Sequence, residues 1–211
     1  PAMLLFYTGL IMASVALVPR RLRIVGAGVV LFFVCWWAAS PRMGPDGDRW
    51  RVTFLDVGQG DSAVIELPDS QTVLIDGGAR YERFDMGRGV VAPFLWNRGV
   101  AHIDHVMGTH EQLDHVGGLI WVLRHIPVGQ YWENGIDRFE QFSADLDAAL
   151  NDKQIPQRTA FRGQNLLRSG PCSLTILNPS NEAGVERSVQ RPSGTLLNNH
   201  SIVSRLQCGA H

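Results

Sequence analysis

The chain has 211 residues, of which 45% are apolar and 18% are charged. In ordinary soluble domains about a quarter of the residues are charged. This low charge, together with 22 glycines, excludes a coiled coil and a charged disordered tail. The formal net charge of −1 excludes a chain that is basic throughout, and the length allows one or two domains.

The first 40 residues are far more apolar than the rest. They contain no Asp, Glu or Lys, and their only charges are those of three arginines, Arg20, Arg21 and Arg23. The uncharged runs on either side, 1–18 and 24–40, would each form a helix of about 26 Å, near the lower limit for crossing a bilayer core of roughly 30 Å. We therefore predict two transmembrane helices in residues 1–40.

Two other interpretations of this apolar head stay open. Both runs would also suit buried core helices, although core helices normally have one polar face. Residues 20–40 have the features of a signal peptide, with a basic start, an apolar centre and the small residues Ala38, Ala39 and Ser40.

Arginines between two spans tend to remain in the cytoplasm. We therefore expect a multi-pass protein of the cytoplasmic membrane, with the domain after Ser40 on the extracytoplasmic side. The signal-peptide interpretation exports the same domain. Because the chain begins at Pro1 and not at Met, we expect it to be a piece of a longer membrane protein.

Cysteine usage leaves two alternatives open. Cys35 lies in the second apolar run, and Cys172 and Cys208 lie in the body of the chain. The latter two would be able to pair in an oxidising compartment. Two free thiols are an equal alternative, since spacing in the sequence says nothing about geometry.

After the head, residues 41–48 (PRMGPDGD) read as a turn-rich linker and residues 49–211 as the globular domain. Alternating apolar residues between short turns predict an antiparallel meander of three strands, 50–57, 62–67 and 71–75. The later pattern predicts helices at 90–97, 116–124 and 139–152, strands at 103–107, 128–132, 173–177 and 201–206, and a polar loop at 181–194. Strands that alternate with helices after a meander indicate mixed α/β layers.

The stretch that carries chemistry is 109–118, directly after the strand predicted at 103–107. Two histidines and two carboxylates fall within six residues of it: His110, Glu111, Asp114 and His115. Imidazole and carboxylate groups suit zinc and, with more oxygen donors, manganese. From the residues alone, metal binding and a polar loop with chance histidines are equally open.

The spacing His110-x-x-x-Asp114-His115-x-Gly117-Gly118 resembles the metal-binding loop of the metallo-β-lactamase superfamily. Three other stretches, FLDVGQGDS at 54–62, LIDGG at 74–78 and LNNHSIV at 197–203, resemble one branch of it, the C-terminal domain of ComEC-type DNA-internalisation proteins. The resemblance covers roughly residues 49–206. It implies an α/β fold, a metallo-β-lactamase-like αββα sandwich truncated at its C-terminus and preceded by the two transmembrane helices.

The resemblance implies a role for each residue of the site. His110 would bind a first metal ion, and Asp114 and His115 would bind a second. Asp76 would lie beneath them and orient a ligand through a hydrogen bond, while Asp61 would shape its turn. His110 and Asp114 are also the implied catalytic residues. The implied cofactor is zinc or manganese, as one or two ions.

Two departures from the family pattern affect the implied site. Many family members have a good metal ligand where this chain has Gln112, whose amide oxygen is a poor ligand for zinc. The family's downstream Gly-Asp, with its metal-bridging carboxylate, and its last histidine would lie beyond His211. His200 and His211 are the substitutes that the chain offers, although a surface role is the simpler one for both.

The resemblance further implies uptake of transforming DNA, with the exported domain acting as a metal-dependent phosphodiesterase or nuclease on the strand that is not imported. The implied partners are single-stranded or double-stranded DNA, the lipid bilayer and the remainder of the membrane channel. Two alternatives stay open: a non-catalytic scaffold domain of the channel, and a generic exported hydrolase of small esters.

The charge distribution limits how the domain would bind DNA. Without the three arginines of the head, 16 basic and 20 acidic residues remain, a net charge of −4. Phosphate contacts normally come from clustered Lys and Arg, so this balance counts against a broad affinity for nucleic acid. Three arginines after Asp76 would form a local basic patch or a solvated loop, Arg80, Arg83 and Arg88.

Overall fold

The computed structural model describes residues 6–8, 10–11, 19–39, 49–136, 143–180 and 194–209. The chain divides into two compact units, residues 1–42 and residues 43–211. The linker predicted at 41–48 lies outside the described residues.

The first unit contains helix α1, Arg20–Ala39, which joins the three arginines to the second apolar run. Residues 6–8 and 10–11 of the first run are also helical, and most of that run lies outside the described residues. Large apolar side chains of α1 are exposed, Phe32 by 58% and Trp36 by 64%. Within the described ranges, however, no helix has both the length and the hydropathy required of a bilayer span. The two predicted transmembrane helices are therefore not seen as such in this part of the chain.

The second unit is built on a six-stranded sheet whose strands follow chain order. The strands are β1 (Arg51–Phe54), β2 (Ala63–Glu66), β3 (Thr72–Ile75), β4 (Ile103–Met107), β5 (Val128–Glu133) and β6 (Gln157–Thr159). Strands β1 to β3 pair antiparallel, which confirms the predicted meander, and β3 to β6 pair parallel. Strand β6 has only three residues, too few for its alternation to be recognised in the sequence.

Helices connect the parallel strands. A π-helical turn, Gly87–Val91, continues into α2, Ala92–Asn97, and α3 and α4 follow as Leu113–His125 and Ser143–Asp152. Helix α3 begins three residues before the predicted start at 116. As a result, Asp114 and His115 lie in the first turn of a helix and not in a loop. The first residues of the helix predicted at 139–152, up to 142, lie outside the described residues.

A second, antiparallel sheet has the order β7 (Asn165–Ser169), β8 (Cys172–Asn178) and β9 (Val203–Cys208). Strand β8 extends the strand predicted at 173–177, and β9 lies two residues later than the strand predicted at 201–206. The prediction missed β7. The polar loop predicted at 181–194 lies outside the described residues up to 193, and Gly194 begins the short helix α5, Gly194–Asn199.

The large sheet is buried on both faces because successive side chains of a strand point to opposite sides. In β2 and β3, Val64 and Leu74 pack among the helices, in a core with Leu95, Leu119 and Leu146. Their neighbours Ile65 and Val73 pack against the second sheet, in a core with Leu167, Leu174 and Ile176. The described layers are thus helices, the six-stranded sheet and the three-stranded sheet, which confirms the predicted α/β fold and corresponds to three of the four layers of the predicted αββα sandwich.

A disulfide bond joins Cys172, at the start of β8, to Cys208, at the end of β9. The two residues are also direct partners in the strand register. This settles the alternative that the sequence left open in favour of pairing. Cys35 is free and exposed in α1.

We predict that the disulfide contributes to the stability of the domain. The bond closes a loop with a sequence separation of 36 residues, and loops of this size restrict the unfolded chain by about 3–4 kcal/mol. Replacing Cys172 and Cys208 together by Ser should lower the free energy of unfolding in urea by that order. Cys35→Ser is the matched control and should leave it unchanged. A parent protein that unfolds identically with and without dithiothreitol would contradict the prediction.

Candidate metal centre

The candidate site lies where β3 and β4 end. The two strands are parallel, so their carboxyl ends meet at one edge of the sheet, the edge at which ligands bind in open α/β folds. Asp76 follows β3 directly, and Thr109 and His110 follow β4. Helix α3 begins three residues after His110, which brings Asp114 and His115 to the same edge.

Asp76 is the centre of a hydrogen-bond network. It is 1% exposed and has a backbone φ of 55°, in the left-handed region that few residues other than Gly, Asn and Asp adopt. Its Oδ1 accepts from the Thr109 N–H at 2.8 Å, and its Oδ2 accepts from the Thr109 hydroxyl at 2.7 Å. His115 Nδ1 contacts the same Oδ2 at 3.0 Å. The unusual backbone conformation thus aims one carboxylate at three groups.

These contacts decide the tautomer of His115. An ionised carboxylate only accepts hydrogen bonds, so in the neutral ring of His115 the Nδ1 carries the proton and the Nε2 keeps a lone pair. Metal-binding histidines commonly have this arrangement, in which a carboxylate holds one ring nitrogen and the other binds the ion. The predicted role of Asp76, orienting a metal ligand from below, has this geometry.

When the His110 imidazole is neutral, its single N–H cannot serve both of its hydrogen-bond contacts. The Thr109 hydroxyl donates to Asp76 and therefore accepts from His110 Nδ1, 3.0 Å away. His110 Nε2 then has a lone pair that faces the Gln112 Oε1, also an acceptor, at 3.1 Å. A cation that binds Nε2 and Oε1 together would satisfy both atoms. The chemistry of these donors therefore fits a metal ion, and Gln112 faces the ligand nitrogen of His110.

The two imidazoles lie close together, with ring centroids 4.0 Å apart, and their pKa values shift in opposite directions. Burial, and then the charge of His115, lower the pKa of His110, and the hydrogen bond that a protonated Nε2 donates to Gln112 and the charges of Asp76 and Asp114 offset this only in part. Burial alone would lower the pKa of His115 as well, but the hydrogen bond to Asp76 and the charges of Asp76, Asp114 and Asp61 outweigh it and raise that pKa. The carboxylates therefore surround His115 more closely than His110.

The remaining predicted residues lie at the exposed side of the site. The Asp114 carboxylate has the Gln59 amide at 3.5 Å, a distance at which a hydrogen bond is weak. The Asp61 carboxylate is 83% exposed and 3.9 Å from His115 Nδ1, while its backbone oxygen accepts from Gly78 N–H at 3.0 Å. The latter bond agrees with the predicted role of Asp61 in shaping its turn.

Among the described residues, no group of three or more His, Cys, Asp and Glu side chains is arranged to hold a metal ion. His110 and His115 are brought together above Asp76, and Asp114 is close enough for its charge to act on both histidines. A resident ion would thus have His110, His115 and Asp114 as its ligands, with the Gln112 oxygen beside His110. The residues fit such an ion by the chemistry of their donors, but they do not surround it.

The sequence did not predict two sets of contacts beside the site. Thr109 links His110 to Asp76, which no motif of the sequence indicated. The adjacent Glu111 is buried, and its carboxylate accepts from the Ser143 hydroxyl at the start of α4. Next to it, the Asn134 Nδ2 is buried without a hydrogen-bond partner in the described structure. The only indication in the sequence was that a polar run follows an apolar strand.

Other histidines lie in structural contacts. His105 accepts from Trp132 Nε1 at 3.2 Å, and burial lowers its pKa. His125 Nδ1 contacts the Trp121 carbonyl at 2.8 Å, near the carboxyl end of α3. His211, one of the two substitute ligands considered, lies outside the described residues.

The chain matches the Metallo-beta-lactamase superfamily over residues 55–188, which is more than half of its length. It belongs to the metallo-β-lactamase superfamily. The predicted family is therefore confirmed, and membership agrees with the layered fold and with a divalent metal as the cofactor.

Two known proteins are similar to the chain in sequence. It is 31% identical over 116 residues to "Uncharacterized protein YcaI" of Escherichia coli (strain K12). This alignment covers 52% of the chain and 14% of that protein. It is 28% identical over 135 residues to ComE operon protein 3 of Bacillus subtilis (strain 168), which covers 57% of the chain and 17% of that protein. The second similarity supports the ComEC-type resemblance. The chain spans less than a fifth of the length of either relative.

Solved structures are similar at a greater distance. CmlA, a diiron β-hydroxylase from Streptomyces venezuelae, has a TM-score of 0.43 and 15% identity, with 79% of this chain and 28% of that chain covered.

Gly60 is predicted to determine the position of Asp114. Its φ is +95°, and a Cβ at this position would lie 1.7 Å from the Asp114 carbonyl oxygen. Gly60→Ala should therefore displace the first turn of α3 and lower metal content as well as stability. Gly99→Ala is the matched control, because Gly99 also has a positive φ, +73°, but has open space around it. The control should lose stability only. Equal metal content in the two purified variants would show that the contact does not position the site.

Proposed function

We propose that this metallo-β-lactamase-type domain is a metal-dependent phosphodiesterase that acts on DNA at the outer face of the cytoplasmic membrane, within a protein for uptake of transforming DNA. The observation that carries the proposal is the network in which the Asp76 carboxylate holds His115 directly and His110 through Thr109. Superfamily membership and the similarity to ComE operon protein 3 support a hydrolase-type domain. DNA, and the strand that is not imported, come from the ComEC-type resemblance.

Each residue of this site would have a separate role. His110 and His115 would present their Nε2 lone pairs to zinc or manganese, and Asp114 would supply the oxygen ligand. A bound divalent ion, or a pair of them, supplies Lewis acidity to a phosphoryl oxygen and lowers the pKa of water. Asp76 keeps both imidazoles in the tautomer that binds metal, and Asp114, at the exposed side, would accept the proton of the attacking water.

We place the domain outside the cytoplasm and anchor it to the bilayer through the apolar head. Helix α1 starts with three arginines and exposes apolar side chains along its length, among them Ile24, Leu31 and Phe32. Arginines stay on the cytoplasmic side of a span, so residues after α1 would emerge on the other side. The Cys172–Cys208 disulfide supports an oxidising compartment. The lipid bilayer and the remainder of the channel would be the partners of this head.

A non-catalytic scaffold is the second candidate function. It is favoured by Gln112 beside His110 and by the lack of a three-ligand group among the described residues. On this alternative the domain would bind no metal and would contribute only its surface to the membrane channel. Metal content separates the two candidates.

We predict that the purified chain binds one ion tightly at most, with a second bound weakly or not at all. Asp114→Ala should remove the ion and any metal-dependent cleavage of single-stranded DNA, because Asp114 is the oxygen ligand. Gln112→Asp should raise metal affinity, since a carboxylate replaces an amide beside His110. Metal stoichiometry, measured by elemental analysis, checks both, with Asp152→Ala in the exposed end of α4 as the control.

The outcomes of this measurement separate the candidates. Full metal content in Asp114→Ala would make the site assignment wrong. A parent protein without any metal would favour the scaffold. Cleavage of small esters but not of DNA would favour a generic exported hydrolase.

We predict that the domain lies on the extracytoplasmic side. Alkaline phosphatase fused after Trp50 should be active in cells, because the enzyme requires export to form its disulfides. A cytoplasmic reporter fused at the same point should be inactive. The reverse pair of results would overturn the proposed topology.

A further inference from the structure

A short hairpin, residues 80–85, follows the strand that carries Asp76. An isolated β-bridge pairs Arg80 with Asp85, and the Tyr81 N–H donates to the Phe84 carbonyl at 2.7 Å. One residue further out on each side, the Met86 N–H donates to the Ala79 carbonyl at 3.0 Å. The hairpin therefore has a closed base and a defined conformation.

The base of this hairpin is attached to the metal centre. The Gly77 N–H donates to the His115 carbonyl at 2.7 Å, and the Gly118 N–H donates to the Gly78 carbonyl at 2.9 Å. Two residues separate Gly78 from Tyr81. At an extended length of about 3.3 Å per residue, the tip of the hairpin lies within about 20 Å of His115. A polymer chain held at the metal centre would extend that far within a few units.

The hairpin exposes two aromatic rings. Tyr81 is 50% exposed and Phe84 is 49% exposed. Phe84 lies over Gly89, where a Cβ would be 2.4 Å from the end of its ring. Because Gly89 has no side chain, the Phe84 ring lies against the start of the helical segment. Exposed aromatic rings are the platforms on which single-stranded nucleic acids stack their bases.

Two arginines flank these rings. Arg83 and Arg88 are exposed, and in the described parts of the chain neither guanidinium has a carboxylate within salt-bridge distance. Arg80, the third member of the predicted basic patch, is different: it pairs with Asp145 at 2.8 Å and with Asp85 at 3.9 Å. The positive charge of this loop that no salt bridge offsets therefore belongs to Arg83 and Arg88, although the charge of Arg88 also acts on the half-buried Asp85. Glu82 is an exposed carboxylate of the same hairpin.

We infer that the 80–85 hairpin, with Arg88, is a binding platform for single-stranded nucleic acid that directs the strand to the metal centre. Bases stack on Tyr81 and Phe84, and the Arg83 and Arg88 guanidinium groups contact the phosphates between them. A duplex does not fit this platform, because its base faces are already stacked on each other. The inference rests on the proposed function, since it names the substrate class and the residues that select it.

The test measures binding separately from cleavage. A fluorescein-labelled oligodeoxythymidylate is titrated with the intact chain in the presence of EDTA, and an abasic oligomer of the same length serves as a second probe. Replacing Tyr81 and Phe84 together by Ser should weaken oligodeoxythymidylate binding about tenfold or more and leave abasic binding unchanged. Replacing Arg83 and Arg88 together by Gln should weaken both, and should reduce the slope of log K against log salt by about 0.7 per arginine.

Two further variants control this experiment. Gly89→Ala keeps every ring and charge but displaces Phe84, so it should weaken oligodeoxythymidylate binding in the same direction as the double Ser variant. Phe161→Ser removes an aromatic ring of similar exposure, 42%, from the turn after β6, and should change nothing. An equal loss with Phe161→Ser would overturn the inference, because exposed aromatic area in general would then explain the binding.

The remaining outcomes separate this inference from the proposed function. If the hairpin variants lose oligodeoxythymidylate binding while the parent cleaves nothing, the platform stands and the phosphodiesterase proposal fails. If the parent cleaves DNA with metal and the hairpin variants bind and cleave equally well, the platform fails and the proposal stands. Loss of binding to anionic phospholipid vesicles, with unchanged DNA binding, would make the hairpin a bilayer contact and overturn the inference.

Discussion

Three hydrogen bonds converge on the Asp76 carboxylate, and the arrangement of the site depends on them. They join the end of β3, the end of β4 and the first turn of α3. A buried carboxylate is costly unless its oxygens are hydrogen-bonded, so the same bonds that orient the histidines also make the burial of Asp76 tolerable. Stability and ligand orientation are therefore properties of one group.

Much of this arrangement could be predicted from the sequence because it is local. The meander of β1 to β3 follows from period-two alternation between short turns, and the spacing from His110 to His115 pointed to the two imidazoles that the structure brings together. The exact start of α3 could not be predicted, because the buried apolar residues of this helix begin only at Val116. Leu113 to His115 therefore add nothing to its apolar periodicity. The hydrogen bonds through which Thr109 links His110 to Asp76 could not be predicted, since a hydroxyl next to a histidine has no sequence signal of its own.

Ion pairs between residues far apart in the chain could not be predicted from the sequence either. Arg80, Arg83 and Arg88 look alike in the sequence, but Arg80 pairs with Asp145, 65 residues away, whereas within the described residues neither of the other two has a carboxylate at salt-bridge distance. The cysteines behave likewise: Cys172 and Cys208 became partners only because β8 and β9 lie side by side in register. Composition gives the number of charges and thiols, whereas the fold decides which charges form ion pairs and which thiols form disulfides.

The division of the large sheet between two cores has a consequence for how the domain can change. Leu74 packs among the helices and Val73 against the second sheet, so a shift of β3 by one residue would exchange the two sides. The same shift would turn Asp76 away from Thr109 and His115. An insertion or deletion inside β3 would therefore disturb both cores and the Asp76 network together, whereas a change of length in a turn between strands would leave the register of β3 intact. The position of the Asp76 carboxylate is thus set by the same strand register that divides the two cores.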